Sequence, residues 1–398
     1  MKILAIETSC DETALALVEA TGGLSSPKFK VLKNLVSSQI AVHRPFGGVV
    51  PNLAKREHLK NLPLVFQDLV EAESRMKPNL LAVTVGPGLE PALWAGIGFA
   101  KEIKQKFFSS ASWRIPLIGT NHLEGHLYSF LLPKTLGERA YKIGGLKSIF
   151  PAVALIVSGG HTILLRMESL TKWKKLGETV DDAVGEAFDK VAKMMGLPYP
   201  GGPEISRLAK TGNRSAIAFP RPMLHSKDYN FSYSGLKTSV LYFLRDNVIS
   251  DTSMSKAGLK TNERAVSASQ DPRRKASRVA SNAHASLGFN TRGLASEKIT
   301  LADIAASFEE AAVDVLVKKT ARAVKEFGAK SVLLSGGVAA NSHLRETLAR
   351  ETKKMKCTFL VPPITFNTDN ATMIAAAAYI SYLRKKNRPL RANGGMNI

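Results

Sequence analysis

His122 and His126 stand four residues apart in Asn121-His122-Leu123-Glu124-Gly125-His126. If Leu123 to Ser129 forms a helix, both imidazoles project from one face, a spacing at which two ring nitrogens can share a metal ion. A zincin helix carries Glu directly after its first His. Leu123 fills that place here, so a water-activating Glu of that kind is missing. The alternative is structural: two polar side chains at a helix start, one capping and one exposed. Asp11 and Glu12 are adjacent carboxylates in a turn, able to bind a metal, position a phosphate's water or face solvent.

Three glycine turns, Ser158-Gly159-Gly160, Gly201-Gly202 and Ser335-Gly336-Gly337, lie at element ends. Glycine there lets backbone N–H groups approach a phosphate without a Cβ in the way, so the set points to a nucleotide-like ligand. None carries the Gly-Lys-Ser/Thr of a P-loop or the acidic residue of a dinucleotide fingerprint. Asp189, on an amphipathic segment, could accept from ribose hydroxyls or be a surface charge. Asn341 opens a helix, where capping is the plain account.

The elements that must position these residues follow one plan used twice. In the first half, Lys2 to Thr8 and Thr13 to Glu19 read as a hairpin, and Val31 to Ile40 as a third strand. A helix follows Pro51, then the buried-type strand Leu80 to Val85, a helix from Pro91 to Phe107 and a strand from Ile115 to Gly119 that exits into the histidine motif. In the second half, strands Ala152 to Val157 and Thr162 to Met167 precede an amphipathic helix from Asp181 to Met195. Strand Ser331 to Leu334 leads into a helix from Asn341 to Lys354, and strand Thr358 to Val361 into a helix from Ala371. Aligning the halves puts Asp369 in the same strand-to-helix turn as His122, so it becomes the third candidate ligand across a cleft between two lobes. Capping of the last helix is its alternative role. The expected division is 1–148 as the N-terminal lobe, completed by a C-terminal helix 371–398, and 149–370 as the C-terminal lobe. Pro133 to Ile149 reads as a connector. Arg245 to Lys298 reads as a basic insertion, with ten Lys or Arg against five Asp or Glu.

A chain of 398 residues, 44% hydrophobic and 22% charged, has the balance of a globular protein with room for two or three domains. The formal net charge of +22 favours a polyanionic partner such as nucleic acid, although solubility alone would also account for it. Cys10 and Cys357 are too few for a disulfide framework or a Cys-rich zinc site. No apolar run reaches membrane-spanning length; the longest, Ala371 to Leu383, is interrupted by Tyr379 and Ser381.

Seven stretches, in order, then resemble one family: Ile6-Glu7-Thr8-Ser9-Cys10-Asp11-Glu12-Thr13, Asn121 to His126, Val157 to Thr162, Gly185 to Lys190, Pro198 to Pro203, Phe231 to Thr238 and Ser335 to Asn341. They are similar to the TsaD family of tRNA N6-adenosine threonylcarbamoyltransferases, formerly labelled O-sialoglycoprotein endopeptidases. The resemblance implies an α/β, actin-like ASKHA fold with a central interlobe cleft. It also implies transfer of a threonylcarbamoyl group from threonylcarbamoyl-AMP, supplied by a separate synthase, to the adenosine 3′ of the tRNA anticodon. Carried over by motif, one divalent metal ion, zinc or iron, is expected on His122, His126 and Asp369. The adenylate is expected on Ile156, Val157, Ser158, Gly159, Gly160, Asp189, Gly202 and Asn341, and Asp11 or Glu12 at the attacking amine. Ile156 stands where some relatives carry a tyrosine ligand, which places the chain with bacterial and mitochondrial members. With Met1 followed at once by a strand, the basic composition suggests a processed mitochondrial matrix enzyme acting as a homodimer. Bacterial cytoplasm, with accessory subunits, is the alternative. Rival classes are a small-molecule kinase or ATPase of the same fold, a metallopeptidase, and a non-catalytic RNA scaffold.

Overall fold

The structure, a computed structural model, describes residues 1–73, 76–110, 113–133, 145–247 and 299–398. The middle of the connector and nearly all of the basic insertion, including Arg273, Arg274, Lys275 and Arg278, therefore lie outside the described residues.

Two five-stranded sheets share one topology. In the first, β1 (Lys2–Glu7), β2 (Glu12–Thr21) and β3 (Lys28–Ser38) form an antiparallel meander. On the other side of β1, β4 (Leu80–Gly86) and β5 (Leu117–Asn121) add in parallel, giving the order β3-β2-β1-β4-β5. The second sheet repeats this with β6 (Ala152–Val157), β7 (Thr162–Ser169), β8 (Lys172–Glu178), β9 (Ser331–Ser335) and β10 (Thr358–Leu360), in the order β8-β7-β6-β9-β10. The parallel strands β4 and β9 are buried along their whole length, as strands covered on both faces must be.

Helices α1 (Pro51–Ala72) and α2 (Glu90–Phe107) cover the outer face of the first sheet. On the second, α4 (Val184–Met194), α5 (Gly201–Ala209), α6 (Ser234–Asp246), α7 (Leu301–Phe327) and α8 (Ser342–Lys354) build the corresponding layer. Between the sheets lies α9 (Ala371–Leu383), beside the short α3 (His122–Tyr128). Every α9 residue from Ala371 to Ser381 is buried. Its apolar character on all sides follows from burial on all sides, not from a membrane: among the described residues no helix is long and apolar enough to span one.

The C-terminal helix ends at Leu383 and does not continue to residue 398. Lys385 takes a left-handed φ of 55°, and beyond it the chain passes the first sheet without a further helix, bridging Gly119 at Arg388. There Asn393 N donates to the Val85 carbonyl, and Arg388 pairs with Glu124 at 2.7 Å. Four of the elements named above also exceed the sequence reading: α5, α6, α7 and β8. Periodicity assigns nothing to α7, although Thr300 and Asp303 form a capping box and Gly328 closes its other end. Strand β8 is masked by its lysines, which suit an exposed edge. Because Thr300 Oγ1 accepts from Asp303 N at 3.2 Å, Thr300→Ala should lower stability by about 1 kcal/mol. A shifted urea midpoint at unchanged slope would register it.

Candidate metal centre

Strand β5 ends at Asn121, whose side chain accepts from Glu124 N at 3.0 Å and so caps α3 with His122 as its first residue. Gly125 allows α3 to lie against α9: a Cβ there would come within 3.0 Å of Met373 Cγ. The start of α9 is built alike, with Asn370 accepting from Met373 N at 3.1 Å and Asp369 just before it. Asn370, not Asp369, is thus the cap, and the Asp369 carboxylate turns to the histidines. His122 Nε2 lies 3.5 Å and His126 Nε2 3.3 Å from Asp369 Oδ1. The two rings sit 4.7 Å apart and nearly perpendicular. One donor atom from each residue falls within 4.8 Å of the others.

This donor set fits a divalent transition metal. Two imidazole nitrogens and one carboxylate oxygen leave further positions open for substrate oxygens. Both ring nitrogens of His126 are buried without a hydrogen-bond partner among the described residues, a costly state unless a ligand takes a lone pair. Burial also holds His126 below its ordinary range, keeping it neutral and able to coordinate. Burial pushes His122 down too, but Asp369 and Glu7 on either side outweigh it and raise it to about 9. Burial would raise Asp369, yet His122 and His126 hold it at about 2.

Around this centre the charge is mostly negative. Glu12 is pushed well above the usual carboxylate value by burial, then by Asp369 and Asp11. Burial, then Asp11 and Asp369, keep the Cys10 thiol protonated. His161, in the Ser158-Gly159-Gly160 turn, is pushed down to about 4 by burial and by the two histidines of the centre.

The other candidate residues lie in the second lobe. Ser158 N donates to the His161 carbonyl at 2.8 Å and closes a tight turn at the end of β6, directly after Ile156 and Val157. Gly336 packs on it with φ +94°, and a Cβ there would stand 2.2 Å from the Val157 oxygen. Around Gly159, Gly160, Gly202 and Gly337, by contrast, an added Cβ would meet nothing within 4 Å, so these backbones face open space. Gly201 and Gly202 start α5 instead of forming a free turn, and Asp189 Oδ1 accepts from Gly201 N at 2.7 Å. Asp189 is thus neither a simple surface charge nor an unengaged carboxylate. Asn341 caps α8 through Oδ1, while its Nδ2 donates to Ser206 and Glu309 at 2.8 and 2.7 Å.

Comparison with known proteins bears on this arrangement. Residues 30–376 match the family described as TsaD, tRNA N6-adenosine threonylcarbamoyltransferase. The chain is 41% identical over 388 residues to the tRNA N6-adenosine threonylcarbamoyltransferase of Thermosipho africanus, covering 96% of this chain and 94% of that one. It is 40% identical to the protein of the same name from Bacillus subtilis, covering 96% and 91%. Among solved structures, full-length HypF in its phosphate- and nucleotide-bound form aligns with 98% of this chain and 47% of its own, at a TM-score of 0.50 and 13% identity. That likeness concerns the fold, which is the actin-like ASKHA type.

Proposed function

The chain belongs to the TsaD family of tRNA N6-adenosine threonylcarbamoyltransferases, and from that premise we propose that it moves the threonylcarbamoyl group of threonylcarbamoyl-AMP onto N6 of the adenosine 3′ of the anticodon, in tRNAs reading codons that begin with adenine. The observation that carries this reading is the convergence of His122, His126 and Asp369 from distant parts of the chain. These three residues would hold one divalent ion, zinc or iron, which would supply Lewis acidity toward the substrate's carbonyl or phosphate oxygens.

The chain's own residues do the rest. The N–H groups of Ser158, Gly159 and Gly160, reached from Ile156 and Val157, take the adenylate phosphate, and the exposed backbone at Gly202 lies along its path. Asp189 and Asn341 fix the walls of that pocket through α5 and α8, with Asp189 also facing the ribose. In the reaction N6 bonds to the carbamoyl carbon, the carbon–oxygen bond to the phosphate breaks and AMP leaves. Glu12 and Asp11 stand at the attacking amine, where one of the two carboxylates accepts the proton lost by N6.

The partners follow from the same reading: tRNA, attracted by the +22 charge, a separate synthase for threonylcarbamoyl-AMP, and a second copy of the chain. The two lobes are assigned as 1–148 with α9, and 149–370. For the compartment, the bacterial relatives favour the cytoplasm of a bacterium, the alternative weighed above, and lend the mitochondrial matrix no support.

Nucleoside mass spectrometry of tRNA incubated with the protein, threonine, bicarbonate, ATP and a threonylcarbamoyl-AMP synthase tests the proposal. Threonylcarbamoyladenosine should appear with the synthase and not without it. ATP turnover independent of tRNA would favour the kinase reading. Tight tRNA binding with no modified nucleoside would favour the scaffold.

A further inference from the structure

Glu7, the last residue of β1, is fully buried, and its carboxylate is engaged on both oxygens. Oε1 accepts from Ser9 N at 2.5 Å, and Oε2 from Thr84 Oγ1 at 2.6 Å. The remaining contact of Oε2, at 3.2 Å, is His122 Nδ1, which Ser9 Oγ also approaches at 3.1 Å. On the opposite edge of the same ring, Nε2 faces Asp369. Both oxygens of Glu7 already accept hydrogen bonds, from Ser9 N and Thr84 Oγ1, so toward the ring the carboxylate is an acceptor and Nδ1–H the donor.

We propose that Glu7 is the positioning residue of the metal centre: its carboxylate, fixed by Ser9 N and Thr84 Oγ1, holds His122 in the Nδ1–H form and aims the Nε2 lone pair at the ion. The arrangement fixes the ring's rotation and tautomer together, and it makes the imidazole a stronger donor. Glu7 is fully buried and meets the Nδ1 edge of His122, away from the Nε2 edge that faces Asp369. Thr84 belongs to the same device, since its hydroxyl sets the direction in which Oε2 points. The inference rests on the metal reading above.

The test is zinc binding by competition with a chromophoric chelator, together with imidazole nitrogen NMR of the zinc-loaded protein. In the unaltered protein His122 should show a protonated, hydrogen-bonded Nδ1 and a metal-bound Nε2. A metal-bound Nδ1 would overturn the proposal without any variant. Glu7→Gln should weaken zinc binding about 10- to 100-fold and mix the tautomers, with thermal unfolding still cooperative. Glu7→Asp retains the charge but withdraws it by one methylene, and should lose less affinity than Gln. If either folded variant binds zinc as tightly as the unaltered protein, with the His122 signals unchanged, the proposal fails. Failure of the unaltered protein to bind zinc or iron would sink the metal reading itself, which is a distinguishable result.

Discussion

His126→Ala should remove the metal and, with it, transfer to tRNA. His126 is completely buried, and among the described residues its nitrogens have no partner other than the donor set they face. Its loss leaves one imidazole and one carboxylate, too few to hold a transition metal firmly. Loss of an outer partner alone costs 10- to 100-fold in affinity, so loss of a ligand should cost at least about a hundredfold. Transfer should fall by about a thousandfold, the upper range for removing a group that stabilises charge in a transition state. Metal content by elemental mass spectrometry and threonylcarbamoyladenosine by nucleoside analysis must be read separately. Full transfer with undiminished metal would show that the three side chains meet for another reason.

Metal uptake should depend steeply on pH, and in a defined direction. In the metal-free protein His122 keeps its proton up to about pH 9, because Asp369 and Glu7 flank it. A metal at Nε2 must displace a proton, whereas the neutral His126 has none to lose. Apparent affinity should therefore rise about tenfold per pH unit from pH 6.5 and level off near 9, leaving it about a hundredfold below its plateau at pH 7. Calorimetry in buffers of different ionisation enthalpy should count about one proton released per ion at pH 7.5. The same shift acts on the metal-free fold. A histidine whose folded value lies above its unfolded one stabilises fully below pH 6.5, and that contribution is lost as pH rises through 9. A flat affinity profile over this window, with no proton release, would contradict the assignment.

Much of the site was legible in sequence because its geometry is local or repeated. The histidine pair needs only one helical turn, and α3 supplies it. Asp369 was reachable because the second lobe repeats the strand-to-helix turn of the first. Glu7 was not, since it meets His122 across 115 residues and only strand pairing, with β4 between them, brings β1 and β5 into one sheet. Asp189 and Asn341 were read as single side chains, but each ties neighbouring helices together, and such ties exist only in the packed layer. The glycines at 201 and 202 look like a turn in sequence and begin a helix in space, because Asp189 supplies the acceptor that their free N–H groups need. The reach of the last helix was overestimated for a similar reason: α9 stops where its burial stops, and the tail beyond is held by contacts to Val85 and Glu124.

The position of α9 also bears on how the protein comes to be made. This helix fills the space between the sheets and carries Asp369 at its entrance, yet it lies among the last thirty or so of 398 residues. During synthesis the first sheet leaves the ribosome more than two hundred residues ahead of the segment that must cover its inner face. Until then the alanine- and isoleucine-lined surface of β1 and β2 stays open to solvent or to a chaperone, and the metal ligands remain incomplete. Binding competence thus arrives late and all at once, and a nascent chain arrested before Asp369 would be both unstable and unable to hold the ion.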